Sequence, residues 1–368
     1  MNYFKLKEKK MSNNSVPVLL YYHINYDNSE FSITPEAFEQ QLQYLKEKGY
    51  KTITKEELGE FMQTGKKNVD KAIVITLDGG YLDTWVYAYP LLKKYGFNAI
   101  SFIVSWNVEE DEFLGLNLDD YYNGKIERER LPNCNSNFIT ENGIKKKLER
   151  RLCWREVREM EKSGIIDIEP NSKFHRKVYG SDKIIGFNSP KQIMTAWSMV
   201  RGDERLGTPD FERKPEFASK EFTAYQDLRD MLAQYVVDNG YLKFFEKPNW
   251  EKELYALVEK YKQEKNLETI GEWETDEMLE KRIKKELEVS KGEIGWETKK
   301  ICKAFAWPWG AYNNTSLKIA KEVGFEYIFT TKEGTNSYGD SLYEIKRITI
   351  NKNDLDWFKS KIEKYSNK

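Results

Sequence analysis

The sequence is poor in the residues that bind transition metals and form disulfides. Its 368 residues include 2 histidines, His23 and His175, and 3 cysteines. Cys134, Cys153 and Cys302 are odd in number and have no CxxC spacing, so we expect neither a disulfide framework nor a thiolate zinc site. This cysteine content is typical of a reducing environment.

Long apolar runs and an excess of one charge are also missing. No run of roughly 18 apolar residues could span a bilayer, and no signal-peptide apolar segment follows the basic opening MNYFKLKEKKMSNNS. Lys and Arg total 59 against 60 Asp and Glu, so no net charge favours nucleic acid or an anionic membrane. We expect a soluble protein without a membrane span, with residues 1–15 as a flexible N-terminal segment.

What the sequence does contain is an alternation of strand and helix patterns. The apolar run VPVLLYYH at 16–23 precedes a helix that Thr34 caps, Pro35 begins and Gly49 ends. The apolar run KAIVITLD at 71–78 is typical of a strand buried on both faces, and the same order of elements returns toward the C-terminus. This βα order predicts a parallel sheet, and the number of units favours a barrel over an open sheet.

Two segments interrupt this pattern. Residues 178–273 begin as a turn-rich aromatic stretch and continue as two or three helices, so we interpret them as a mostly helical insertion subdomain. A smaller irregular segment at roughly 107–147 interrupts an earlier βα unit in the same way. The barrel would then comprise residues 16–177 and 274–368.

Several polar and aromatic residues follow predicted strands directly. They are His23, Asp78, Asn171, His175 and the loop from Trp307 to Gly310. The C-terminal ends of the strands in a βα barrel converge on one face, where ligands bind. We therefore expect these residues to lie together at one mouth of the barrel.

The same stretches are similar to the motifs of one known family. AIVITLDGGYLDTW resembles the first motif, usually TFDDGY, of the polysaccharide deacetylases, a carbohydrate esterase family with the NodB-homology fold. RRLCWREVREMEKSGIIDIEPNSKFH resembles the approach to its second motif, His-Ser/Thr-x-x-His, and FAWPWGAYN resembles its third. YEIKRITI is similar to a late strand that carries an Arg, and VPVLLYYHI to the opening strand of the poly-N-acetylglucosamine deacetylase branch. The resemblance implies a distorted parallel (β/α) barrel of the polysaccharide deacetylase type.

The resemblance also implies a chemistry. The family removes N-acetyl or O-acetyl groups from a polysaccharide or acetylated amino-sugar glycan, acting on non-peptide C–N bonds in the N-acetyl case. One Asp and two His hold a divalent metal such as zinc, nickel or cobalt, which lowers the pKa of bound water from about 15.7 to about 7 while a second Asp acts as base. By position, Asp78 matches the base and His175 matches the second metal-binding His.

Two of the three metal ligands of the family are replaced. Gly79 stands in place of the ligand Asp and Asn171 in place of the first His, and an Asn oxygen is a weak ligand. Asp83 and Glu169 are nearby in sequence but are not convincing replacements. Without a metal, water loses roughly eight pK units of acidification, on the order of 11 kcal/mol, whereas a general base contributes about 10²- to 10⁴-fold. We therefore expect metal binding and hydrolysis to be weak or lost.

Each remaining candidate also has a structural alternative. The resemblance implies that His23 lines the pocket and protonates the leaving amine, with a core histidine as the alternative. It implies that Arg347 orients the base, with a surface-strand arginine as the alternative. For Asp78 the structural alternative is a residue that caps the following turn, and for His175 it is an ordinary loop histidine. Aromatic faces stack on sugar rings, so we expect a substrate-binding groove of aromatic residues, or else core packing. Its candidate members are Tyr81, Trp307, Trp309 and Tyr312.

Three functions stay open at this point. The first is a metal-dependent hydrolase that deacetylates a polysaccharide, which the family as a whole favours. The second is a glycan-binding pseudoenzyme, which the missing ligands favour. The third is a barrel that presents residues 178–273 to a protein partner. The family is usually extracellular or in the cell envelope whereas this chain shows no export signal, so localisation stays open, as do the glycan and the oligomeric state.

Overall fold

A computed structural model describes most of the chain. Of the flexible segment expected at residues 1–15, residues 1–14 lie outside the described part. Within the described part, no helix is both long and apolar enough to cross a membrane. The described residues are 15–110, 113–141, 144–190, 193–195 and 205–366.

Strands and helices alternate at the start of the chain, as the sequence predicts. Thr34 caps the first helix, its Oγ1 accepting the backbone N–H of Ala37 at 3.2 Å, and Pro35 occupies the first helical position. The strand predicted at 71–78 is observed at Ala72–Gly79, and every residue of it is buried, which is expected where helices and interior cover both faces. The elements are β1 (Ser15–Tyr21), β2 (His23–Ile24), β3 (Ser32–Ile33), α1 (Pro35–Glu47), β4 (Lys51–Thr52), α2 (Lys55–Thr64), β5 (Ala72–Gly79), a π-helical turn (Thr84–Ala88), α3 (Tyr89–Tyr95) and β6 (Ala99–Ile103).

The irregular segment that follows β6 contains a short helix and an antiparallel strand pair before the βα pattern resumes. Its elements and the next βα unit are a 3₁₀ turn (Ser105–Asn107), α4 (Leu118–Tyr122), a 3₁₀ turn (Arg128–Arg130), β7 (Asn137–Glu141), β8 (Ile144–Leu148), α5 (Trp154–Lys162) and β9 (Ile166–Pro170).

Residues 178–273 combine the expected helices with antiparallel strands in the part that the sequence describes only as turn-rich. These helices and strands share an apolar cluster that includes Phe211, Phe222, Leu232 and Phe244. The limits of a separate subdomain at 178 and 273 stay a prediction. The elements are β10 (Lys177–Phe187), β11 (Ile193–Thr195), β12 (Pro209–Pro215), β13 (Phe222–Ala224), α6 (Gln226–Asp238), a 3₁₀ helix (Tyr241–Glu246), α7 (Trp250–Lys265) and β14 (Gly271–Trp273).

The C-terminal part returns to the barrel. A long helix leads into the last strands, and a final helix packs against β1. The elements are α8 (Asp276–Thr298), β15 (Ala304–Ala306), a 3₁₀ turn (Pro308–Gly310), α9 (Asn314–Glu322), β16 (Tyr327–Glu333), β17 (Thr335–Ser337), β18 (Ile345–Thr349) and α10 (Leu355–Ser366).

Seven parallel strands form the barrel wall in the order β15-β16-β18-β1-β5-β6-β9. The two end strands, β9 and β15, are joined by hydrogen bonds between side chains and backbone instead of a backbone ladder. Glu169 Oε2 accepts the backbone N–H groups of Lys303 at 3.1 Å and Ala304 at 3.0 Å. Asn171 Nδ2 donates to the carbonyl oxygen of Ala306 at 2.7 Å. These bonds join β9 to β15, so the predicted distorted parallel barrel is confirmed.

Alternate residues of β5 face the interior and the surrounding helices. Val74 belongs to an interior cluster with Phe102 and Phe329, whereas Ile75 belongs to a cluster that includes Phe38 of α1. With a period of two, Asp78 extends from the same face as Val74, toward the interior. The barrel therefore directs the Asp78 carboxylate into its mouth.

Candidate functional site

The strand register places the two altered motif positions at the same level of the barrel rim. Gly79 of β5 pairs with Ile103 of β6, and Ile103 pairs with Pro170 of β9. The backbone N–H of Asn171 then donates to the carbonyl oxygen of Ile103 at 2.8 Å. Gly79 and Asn171 therefore both lie at the rim, as the sequence predicts.

Asp78 and Arg347 form a buried, bidentate ion pair. Arg347 Nη1 donates to Asp78 Oδ1 at 2.7 Å and Nη2 donates to Oδ2 at 2.8 Å. Further donations from Arg347 to the carbonyl of Thr330 and to the hydroxyl of Thr76 fix the guanidinium. Burial raises the pKa of Asp78 above its usual value, although Arg347 opposes this shift. Arg347 is buried, so it is not the surface-strand arginine of the alternative interpretation.

His23 has a carboxylate partner that the sequence did not identify. Its Nδ1 lies 3.1 Å from Asp83 Oδ2, and Asp83 is buried. In the tautomer whose Nδ1–H donates to Asp83, Nε2 is an acceptor. The His23 ring also stacks on Tyr81, with centroids 3.7 Å apart. Asp83 and Tyr81 therefore fix the orientation of this imidazole.

Tyr22 is a second rim residue that the sequence analysis missed. Burial raises its pKa to about 12, with a further contribution from the Asp78 carboxylate. The phenol therefore stays protonated at neutral pH and can donate a hydrogen bond near Asp78. Its place directly after β1, next to His23, was the available signal.

The ring of Tyr81 fills the space that a side chain at position 79 would need. Gly79 has φ +112°, a conformation that L-residues rarely adopt. A Cβ built there would lie 2.3 Å from Tyr81 Cε2. A carboxylate at this position would therefore require both a strained backbone and a shift of the Tyr81 ring.

The loop after β9 uses its polar groups to hold its own shape. The Asn171 amide donates to Ala306, and its buried Oδ1 has no hydrogen-bond partner among the described residues. Ser172 Oγ accepts the backbone N–H of His175 at 2.8 Å, and both residues have positive φ, +86° and +51°. Burial, and to a lesser extent Lys177, lowers the pKa of His175 to about 4, so this imidazole is neutral at pH 7.

These donors do not fit the metal site of the resembling family. Both oxygens of Asp78 bond to Arg347, position 79 offers no side chain, and Asn171 offers a neutral amide oxygen, which is a weak ligand. No group of three or more His, Cys, Asp and Glu side chains in the described ranges could hold a metal ion. His175 remains the one strong donor of the predicted metal set.

The two tryptophans of the third motif have different surroundings. Trp307 is 1% exposed, and its ring lies against Phe217, Phe305 and Tyr312, the last stacked at 5.3 Å. This burial favours the core alternative for Trp307. Tyr312 is half-buried, and its hydroxyl donates to Glu344.

Trp309 is the accessible indole of this loop. It is 41% exposed, and its backbone has φ +60°. Its ring centroid lies 4.9 Å from that of His175, and Lys177 Nζ lies 4.1 Å from the Trp309 centroid. Trp309 and His175, which the sequence predicts in one site, are therefore in contact.

Trp106 adds a further exposed aromatic near the rim. It is 65% exposed, its ring lies 5.3 Å from that of Phe174, and its backbone N–H donates to the carbonyl of Lys173. The sequence analysis missed it, although it follows the end of β6 as the other rim residues follow their strands. Two exposed indoles, Trp106 and Trp309, thus contact neighbouring residues of the 171–177 loop.

Comparison with known proteins gives sequence matches to one family. The family model for polysaccharide deacetylase matches residues 65–198. YxkH of Bacillus subtilis (strain 168), named as a polysaccharide deacetylase, is 36% identical over 93 residues, 25% of this chain and 33% of that protein. The poly-beta-1,6-N-acetyl-D-glucosamine N-deacetylase of Staphylococcus aureus (strain MSSA476) is 28% identical over 120 residues, 32% of this chain and 39% of that protein. The chain therefore spans less than half the length of these relatives.

Solved structures match over nearly the whole chain. A de-N-acetylase from Aggregatibacter actinomycetemcomitans aligns with TM-score 0.57 and 19% identity, covering 94% of this chain and 99% of that one. IcaB from Ammonifex degensii aligns with TM-score 0.55 and 15% identity, covering 96% and 98%. At these identities the likeness concerns the fold alone.

Proposed function

We propose that this chain, whose residues 65–198 match the family model for polysaccharide deacetylase, binds an N-acetylated amino-sugar polysaccharide at the barrel mouth without metal-dependent hydrolysis. The family generally uses a divalent metal. The observation that carries the proposal is the filled space at position 79, because it leaves Asp78, which is already paired with Arg347, as the only motif carboxylate. The Tyr81 ring occupies the space that a ligand carboxylate at position 79 would need.

The polar residues of the mouth suit recognition of a sugar. A carboxylate that bonds a guanidinium through both oxygens still has free lone pairs, so Asp78 can accept a hydroxyl or amide hydrogen from a ligand. Tyr22 supplies a donor, and His23 supplies an acceptor at Nε2. A few fixed polar groups beside an aromatic surface are what carbohydrate binding requires.

Trp309 supplies the aromatic surface in this proposal. Its exposed indole lies beside His175 at the rim, where a pyranose ring can stack on it. The choice of an acetylated amino sugar rests on the name of the Staphylococcus aureus relative, a poly-beta-1,6-N-acetyl-D-glucosamine N-deacetylase. A cell-envelope or extracellular location would suit this ligand and stays a prediction.

The proposal is tested by calorimetric titration with a β-1,6-linked N-acetylglucosamine oligosaccharide. Trp309→Ala should weaken binding about tenfold, which corresponds to about 1.4 kcal/mol, because the sugar loses its stacking surface. Tyr338→Ala is the matched control, since Tyr338 is 66% exposed next to β17, at the opposite end of the barrel. Equal affinities of wild type and Trp309→Ala would contradict the proposal.

A metal-dependent hydrolase is the second candidate, and the His23–Asp83 pair favours it. A histidine oriented by a buried carboxylate is suited to proton transfer. This candidate predicts release of acetate from the same oligosaccharide when zinc, nickel or cobalt is added. Release that Asp78→Asn abolishes would replace the binding proposal.

A further inference from the structure

A groove of about 580 Å³ lies outside the barrel mouth, between the loop after β6 and the C-terminal half of α8. Trp106 lines it from the loop side and Trp296 from the helix side, and both indoles are largely exposed, at 65% and 72%. Trp154 lines it as well and is almost fully buried. Two large exposed indoles on one concave surface indicate a binding site for a ligand with flat apolar faces.

Gly292 gives the groove part of its depth. It lies inside α8, where glycine is among the least favourable residues. A Cβ at Gly292 would meet no atom within 4 Å, so packing within the protein does not require glycine there. Gly295 differs, because a Cβ there would lie 2.8 Å from the carbonyl oxygen of Lys300. The lack of a side chain at Gly292 leaves the helix backbone accessible from the groove.

The charge of the groove favours a cationic ligand. Three carboxylates line it against one lysine. Glu293 is engaged by Lys173 and by the hydroxyl of Ser105, and Glu297 pairs with Arg158 outside the groove. Glu110 is exposed and has no ion pair within the described ranges. An ammonium group in the groove would therefore find an uncompensated carboxylate.

We infer that this groove binds an amino-sugar oligosaccharide with free amino groups, as in a partially deacetylated polysaccharide. Pyranose faces stack on Trp106 and Trp296, and the ammonium group pairs with Glu110. Lys299 Nζ lies 4.0 Å from the Trp296 centroid and does not line the groove, and Trp296 is largely exposed despite this contact. The choice of a glycan rests on the proposed function, whereas the free amine rests on the groove itself.

The groove also has a defined relation to the mouth. Trp106 belongs to the groove and contacts Phe174 of the loop that carries His175. One chain of sugars could thus present acetylated units at the mouth and deacetylated units at the groove. The free amines would have to come from a separate deacetylation of the same glycan, because the mouth is proposed not to hydrolyse it.

The experiment compares two β-1,6-linked oligosaccharides, one fully N-acetylated and one of glucosamine, by calorimetric titration. Gly292→Leu should weaken binding of the glucosamine oligosaccharide at least tenfold, because the new side chain fills the groove without meeting a protein atom at Cβ. Gly292→Ala is the matched control and should change binding less than twofold. Trp296→Ala and Glu110→Gln should each lower affinity several-fold, and the loss in Glu110→Gln should shrink at high salt.

The two proposals fail in different ways in this experiment. In the first case, the acetylated oligosaccharide binds in a Trp309-dependent manner, but the glucosamine oligosaccharide does not bind or binds equally well to Gly292→Leu. The groove inference is then wrong, and the proposed function of the mouth stands. In the second case, the glucosamine oligosaccharide binds in a Trp296-dependent manner and the acetylated one does not bind. The proposed function of the mouth is then wrong, and binding at the groove stands.

Discussion

Asp78 and Arg347 carry complementary charges in an apolar interior. The guanidinium carbon lies 5.7 Å from the ring centroid of Phe102 and 6.0 Å from that of Phe329. Each charge alone would be costly in such surroundings, whereas the bidentate pair compensates both. The pair therefore compensates two buried charges and engages the carboxylate that matches the base of the resembling family.

Removing one member of this pair should cost more than removing both. Arg347→Met leaves a buried carboxylate uncompensated, so we expect the free energy of unfolding to fall by about 3–5 kcal/mol. In the double variant Asp78→Asn plus Arg347→Met, the free energy of unfolding should fall by less, because no buried charge is left without a partner. Urea denaturation measures both, with the neighbouring, half-exposed Lys346→Met as control. A double variant no more stable than the single one would show that the pair does not compensate.

Gly79 can be compared with a glycine that has a similar φ but no close neighbour. Gly240 has φ +108°, and a Cβ placed on it would lie 3.6 Å from the nearest atom, an ordinary contact, whereas one on Gly79 meets the Tyr81 ring. Gly240→Ala should cost about 1 kcal/mol of unfolding free energy from backbone strain. Gly79→Ala should cost at least twice that, because Tyr81 must also move. Equal costs in denaturation would mean that Tyr81 does not exclude a side chain.

At the scale of elements, α8 and the end of β12 hold the loop that carries His175. Glu286 Oε1 of α8 accepts the backbone N–H of Phe174 at 2.8 Å. Arg176 Nε donates to Glu216 Oε2 at 2.8 Å, and Arg282 of α8 donates to the carbonyl of Glu216. Burial, and then the neighbouring Glu216, raises the pKa of Glu286 to about 8. Residues after β12 thereby share charged contacts with the rim of the barrel.

The raised pKa predicts a pH-dependent effect of Glu286→Gln. Because the folded pKa lies above the unfolded one, the stabilising contribution of the neutral acid is complete below about pH 4.5 and is lost as pH rises through about 8. Glutamine stays neutral, so the variant should gain stability relative to wild type between pH 5.5 and 8.5. Urea denaturation at pH 5.5 and at pH 8.5 measures the difference in unfolding free energy between variant and wild type. Glu288→Gln, at an exposed position on the same helix, is the control. A difference independent of pH would contradict the assignment.

For the whole molecule, the sequence predicts the barrel and the rim but not the contacts that decide the chemistry. Continuous apolar runs and the Thr34 cap locate β5 and α1, and strand ends locate Asp78 and Asn171. The bond from Asn171 to Ala306 joins residues 135 positions apart, so no local pattern reveals it. The burial of Trp307 also depends on a distant partner, Phe217.

The groove beside α8 escaped the sequence analysis for the same reason. Trp106 and Trp296 are far apart in the chain and have no shared motif, and Gly292 looks like an ordinary glycine in a helical pattern. Only the packing of α8 against the loop after β6 brings these residues together. Sites built between elements depend on tertiary structure, whereas sites at strand ends follow from the order of the elements.

The central proposal is that the mouth of this barrel cannot assemble the metal site of the polysaccharide deacetylases that it resembles. Titration of the purified chain with Zn²⁺, Ni²⁺ and Co²⁺, followed by assay of acetate release from an N-acetylglucosamine oligosaccharide, tests it most directly. The account predicts no stoichiometric metal binding at micromolar concentration and no metal-dependent acetate. One tightly bound equivalent that is lost in His175→Ala, together with acetate release, would contradict it.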